Sequence, residues 1–157
     1  MSLWVDLLRW AHVIGAAVLL GTGAGIAFFM LLAHRTGDPR LIAHVAGTVV
    51  VADFIFTATA VVLQPVTGVA LAQAMGWPLN EPWLALAIAL YVLTGLCWLP
   101  VVWIQLQLRD LAQIAAADGT ELTETYHRLF RIWFLLGIPA FASVLAIVWL
   151  MTVRPQF

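Results

Sequence analysis

Four polar residues, His12, Gln64, Tyr91 and Ser143, stand inside long apolar runs of this chain. Their types suit the holding of a redox group. An imidazole can be an axial ligand to haem or another metal, or a hydrogen-bond partner to a quinone. Gln64 and Tyr91 add an amide and a phenol that can hydrogen-bond a cofactor. A second set, Asp53, Gln105, Arg109 and Arg131, mixes a carboxylate with two guanidinium groups. A carboxylate at the centre of a membrane helix costs about 2.5–3.5 kcal/mol to insert, so such a residue is either paired or functional. The expectation for Asp53 is a place near the inner boundary, paired with Arg109 or Arg131 or serving as a proton or ligand site. No Gly-rich phosphate loop, nucleophile elbow or pair of membrane carboxylates is present. His34, His44 and His127 have no acidic or cysteine residues at metal-ligand spacing, so no metal site is expected from them.

Spacing assigns these residues to faces. Residues 7, 11 and 18 apart share one face of an α-helix. His12, Leu19, Gly23 and Met30 therefore line up, and Ala17, Gly21 and Gly25 form a seam of small residues on the opposite side. Small residues at four-residue spacing let another helix approach closely, either within the bundle or from a second subunit. Asp53, Thr57, Ala60, Gln64 and Thr67 make one stripe, and Tyr91, Thr94, Trp98, Gln105 and Arg109 make another. Pro65, Pro100 and Pro139 each lack an N–H, which frees the carbonyls of Val61, Leu96 and Leu135 four residues back. Breaks of this kind are tolerated where neighbours or a cavity satisfy the backbone again.

The elements that must position these residues are membrane helices. The chain is 64% hydrophobic and 10% charged, against about 25% charged in a soluble domain. Four stretches, 3–33, 48–74, 83–108 and 129–153, reach the roughly 20 apolar residues that span a bilayer. The expected fold is all-α: one polytopic four-helix bundle, up-down-up-down, over residues 1–157. Asp6 in the leading segment and the length of the first apolar run argue against a cleaved signal peptide. Cys97 is the one cysteine, so no intramolecular disulfide forms. A net charge of −1 leaves no basic surface for nucleic acid.

Arg35, Arg40, Arg109, Arg128 and Arg131 fall at the first and third connections, and only Arg9 and Arg154 at the other end. The positive-inside rule then puts both termini on the outer side of a bacterial inner membrane. Trp4, Trp77, Trp83 and Trp149 fall near the outer interface and Trp133 near the inner one, where amphipathic rings prefer to sit. The third connection reads as an extension of span three to a turn at Asp118-Gly119, followed by a capped helix from Thr123. A rise of about 1.5 Å per residue brings His12, Gln64, Tyr91 and Ser143 to one outer layer. Asp53, Gln105, Arg109 and Arg131 fall in an inner one. His34, His44 and His127 lie on the inner side and cannot reach His12. Met75 and Met151 lie near the outer end, at the periphery.

Over nearly its whole length the sequence resembles a bacterial family of four-helix integral membrane proteins classed as a domain of unknown function. The stretches RWAHVIGAAVLLGTGAGIAFFMLLAHRTGD, ADFIFTATAVVLQPVTG, CWLPVVWIQLQLRDLA and YHRLFRIWFLLGIPAFASVLAIVWLMTVRP carry that likeness. It is more distantly similar to the membrane-embedded, haem-containing protoporphyrinogen oxidase family. That family opens its first helix with a basic residue and a histidine and closes it on another histidine, as Arg9, His12 and His34 do here. Its last helix runs into a basic-proline-aromatic tail, as in WLMTVRPQF. The family's haem ligands are that histidine and a methionine of the second helix. His12 matches the first, but Val61, in TAVVLQPVTG, stands where the methionine would fall. The family's asparagine-glutamate pair before the last-helix proline is replaced by Leu136-Gly137-Ile138. The resemblance implies an oxidoreductase with haem b at His12. The residues themselves lead to a redox-linked membrane protein holding haem b, a porphyrin or a quinone near His12. The alternative is a non-enzymatic carrier, or an accessory subunit that meets a second copy or partner membrane subunit through Ala17, Gly21 and Gly25.

Overall fold

A computed structural model describes residues 2–155, so the last two residues of the WLMTVRPQF tail lie outside the described residues. The described chain is helical, with no strand: α1 (Leu3–Thr36), α2 (Pro39–Ala74), α3 (Pro82–Asp118) and α4 (Glu124–Val153). All four are long and apolar enough to cross a membrane. Their outer surfaces are apolar as well: Val62, Leu96, Leu99 and Leu135 are each more than 60% exposed. Lipid contact accounts for such a surface, because hydrocarbon solvates these side chains and water does not.

The helices outrun the expected spans at the end away from the termini. Gly37, at φ 67°, takes the left-handed conformation that closes α1. Asp38 then caps α2 by accepting a 2.9 Å bond from the Arg40 N–H, with Pro39 in the first turn. The first connection is therefore two residues long, and α2 begins nine residues before the expected start at 48. The third connection matches its expectation. Helix α3 ends at Asp118, Gly119 is left-handed at φ 65°, and the Thr123 hydroxyl caps α4 on the Tyr126 N–H.

Pro65 does not break α2, contrary to expectation. The departure from regular geometry comes earlier, as a π-helical turn over Asp53–Thr57. No Pro or Gly marks that turn, which is why the sequence does not announce it.

Helix α1 pairs with α2, and α3 with α4. The pairs close on each other near the connection end, where the first half of α2 (Pro39–Ala52) packs on α3. Met30, Ile42, Leu108 and Tyr126, one from each helix, are fully buried in a core there. Trp133, expected at an interface, is 4% exposed in this core and donates its Nε1–H to Gln105 Oε1 at 3.2 Å. At the terminal end the backbones of Ala58–Ala74 and α3 stand further apart. Ala72 there packs with the buried Trp83 and Leu84. That separation makes room for a cavity.

Candidate functional site

The stripe on α2 is the element that builds the site. Asp53, Thr57, Ala60, Gln64 and Thr67 are all buried, as their common face requires. Thr67 Oγ1 lies 2.7 Å from the Leu63 carbonyl one turn back and 2.8 Å from His12 Nδ1. A hydroxyl has one proton to give. With that proton on Leu63, the network assigns the second bond as His12 Nδ1–H donating to Thr67. The tautomer then leaves Nε2 deprotonated with its lone pair free. Among the described residues nothing hydrogen-bonds Nε2.

Two glycines fit α1 and α2 together here. A Cβ on Gly68 would meet the His12 ring at 3.2 Å, and a Cβ on Gly15 would collide with the Gln64 amide. The Gln64 amide donates to the His12 backbone carbonyl at 2.8 Å, so it fixes the helix on which the ring is mounted. Neither glycine stood out in the sequence, because each owes its role to the helix it faces. The seam of Ala17, Gly21 and Gly25 lies elsewhere. Ala17 and Gly21 are exposed, and a Cβ on Gly21 or Gly25 would meet nothing within 4 Å, so this seam packs on no helix of the bundle.

His12 opens on a cavity of about 230 Å³ between the helix pairs at the terminal end. Val13, Leu71, Trp77, Trp83 and Leu84 give it apolar walls, and Arg9 and Arg154 stand at its exposed rim. The Arg154 guanidinium lies over the Trp77 ring, 4.5 Å from its centroid. Met75 and Met151 line the same space as His12. Sequence reasoning left them peripheral because the convergence of the two helix ends is a tertiary feature.

The remaining candidates spend their polar groups on structure. Tyr91 donates its hydroxyl to the Val61 carbonyl, the one freed by Pro65. Among the described residues, no side chain does the same for Leu96 or Leu135. Neither Gln64 nor Tyr91 lines the cavity. Ser143 is buried at 5% exposure but bonds to none of the other three.

The expected inner layer does not assemble as one cluster. Arg109 pairs with its neighbour Asp110 at 2.7 Å, and Arg131 is exposed. Both long side chains reach water or a local partner more cheaply than a buried one. Asp53 instead accepts from Trp98 Nε1–H at 3.4 Å. His34 stacks on Phe130, ring centroids 3.7 Å apart, at the opposite end from His12. Among the described residues no three His, Cys, Asp or Glu side chains are grouped to hold a metal ion.

The family described as Predicted integral membrane protein (DUF2269) matches residues 6–155, nearly the whole chain, and the protein belongs to it. No curated protein and no solved structure matches the chain.

Proposed function

We propose, taking membership of this integral membrane family as the premise, that the chain binds a quinol headgroup in the terminal-end cavity, with His12 as the receiving residue. The observation that carries this reading is the bond from His12 Nδ1 to Thr67, because it leaves the Nε2 lone pair free in an apolar setting. Such a nitrogen accepts a hydrogen bond from a quinol hydroxyl. The volume favours a single ring: ligand pockets usually hold about 300–1,000 Å³, and this cavity holds about 230 Å³. Trp77 and Trp83 supply flat apolar walls, and the apolar tail of a membrane quinone would lie in the surrounding lipid.

A haem b reading is favoured by different residues of the same cavity. The Nε2 lone pair suits iron, Met75 or Met151 offers a thioether, and Arg9 and Arg154 at the rim suit the carboxylates of a porphyrin. This donor set fits haem, which would supply one-electron chemistry when bound. The volume does not fit without further parting of α2 from α3, so the quinol reading stands first. The arginine distribution supports a site on the outer face of a bacterial inner membrane. A second copy or a partner membrane subunit would find the face of the exposed Ala17 and Gly21 and the half-buried Gly25 available.

The test is purification in mild detergent, followed by solvent extraction of quinones and visible spectra of the oxidised and dithionite-reduced protein. The expected result is a co-purifying quinone that is lost in His12→Ala while the protein remains folded. A Soret band that His12→Ala abolishes would replace quinol by haem. A protein that retains neither, and that binds no added quinol or haem, would end the reading.

A further inference from the structure

Asp53 is the one acidic residue between 39 and 80, and it is 4% exposed. No guanidinium offsets its charge. Between His12 and His34 helix α1 has no ionisable side chain, and α4 has none between Arg131 and Arg154. Helix α3 has only Tyr91 and Cys97 before Arg109, which is paired with Asp110. The hydrogen bond that Asp53 accepts, from Trp98 at 3.4 Å, is long for N–H···O. An isolated carboxylate in hydrocarbon is costly enough that the group is either neutralised by a proton or offset by a cation.

Thr57, one turn along, lies close enough to interact with the Asp53 carboxyl, though not in hydrogen-bonding geometry. Its Oγ1 is the one buried side-chain oxygen or nitrogen among the described residues that lacks a hydrogen-bond partner. A buried hydroxyl without a well-formed hydrogen bond, beside a buried carboxyl without a counter-charge, leaves room in the bonding for one more partner. The backbone agrees, because Asp53–Thr57 is the π-helical turn of α2. Such turns shift carbonyls away from their usual i+4 donors and recur at functional sites. Here the Asp53 carbonyl takes the Ala58 N–H, five residues on, as its donor.

We propose that Asp53 and Thr57, with the π-turn between them, form a binding site for one monovalent cation, a proton or a sodium ion, within the membrane. The site is separate from His12. Trp98 holds the Asp53 carboxyl in place through Oδ1.

The experiment uses the full-length protein in detergent and dicyclohexylcarbodiimide, an apolar reagent that modifies membrane-buried carboxyls in their protonated form, with peptide mass mapping as the readout. Asp53 is expected to gain one carbodiimide, and Asp53→Asn to lose that adduct. If sodium chloride slows the labelling several-fold and choline chloride does not, the ion is sodium. If sodium has no effect and labelling declines in alkaline buffer, it is the proton. An Asp53 that stays unmodified in every buffer, or that labels equally in all of them, would overturn the site. Thr57→Val gives a second check with little change in shape. It is expected to alter the sodium or alkali response of the labelled Asp53, and an unchanged response would overturn the pairing of the two residues. Neither result depends on whether the cavity at His12 binds a quinol.

Discussion

The chemistry of His12 is set by one hydroxyl. With its own proton on the Leu63 carbonyl, Thr67 would take that of Nδ1, which orients the ring and selects its tautomer. Thr67→Val keeps the shape and removes the acceptor. Behind a metal-ligating histidine, loss of such an orienting hydrogen bond typically costs 10–100-fold in metal affinity or activity, and Thr67 has the same orienting place behind His12. We therefore expect Thr67→Val to weaken binding of an added quinol at least about ten-fold, read by titration, without loss of folded protein. Unchanged affinity would mean that the ring does not need Thr67. This pair was half legible in the sequence. Both residues lie on predicted inward faces, and the α2 stripe is buried at all five positions. The bond itself was not legible, because helix rotation and relative height decide it, and hydropathy constrains neither to within a hydrogen-bond length. Met75 and Met151 show the same limit from the other side. Their place in the cavity depends on how α2 ends against α4, and no periodicity encodes that.

At the scale of the helices, Pro65 and Tyr91 act as a unit. The proline leaves the Val61 carbonyl without its i+4 donor, and the Tyr91 hydroxyl from α3 supplies one. Tyr91→Phe should orphan that carbonyl and destabilise the fold by about 1–3 kcal/mol. Pro65→Ala restores the N–H on α2, so the same Tyr91→Phe change should then cost much less. A double-mutant cycle on thermal unfolding in detergent measures the coupling. Additive effects would show that the hydroxyl does not serve that carbonyl. Glycines give a second contrast between helix faces. Gly15→Ala would displace the Gln64 amide from the His12 carbonyl and should cost about 1–3 kcal/mol, whereas Gly21→Ala meets open space and should leave the melting temperature unchanged. Gly21→Leu extends the contrast outward: the isolated bundle should tolerate it, and a smaller particle on size exclusion would show that this face seats another helix. The four-residue spacing of Ala17, Gly21 and Gly25 did reveal a packing-competent face. It could not reveal that the face points out of the bundle, since small residues are equally suited to a neighbour in the same chain and in another.

For the whole molecule, the fold class follows from bulk properties. Four apolar runs with short connections allow little but an antiparallel bundle, and the four long helices agree. Orientation rests on a different quantity, the arginine count at each end. Five of the seven arginines cluster around the two connections opposite the termini, and this bias predicts that those connections stay in the cytoplasm. The two ends also differ in packing. The connection end is closed by the core around Met30, Ile42, Leu108 and Tyr126, and the terminal end holds the cavity under Arg9 and Arg154. Single cysteines at Asn80 and Asp118, both exposed and placed in a Cys97→Ala background, separate the two orientations. In intact cells a membrane-impermeant maleimide should label the Asn80 position and should reach the Asp118 position only after the membrane is opened. The reverse pattern would turn the His12 cavity to the cytoplasm. The labelling result therefore also fixes the membrane face from which a quinol headgroup would reach His12.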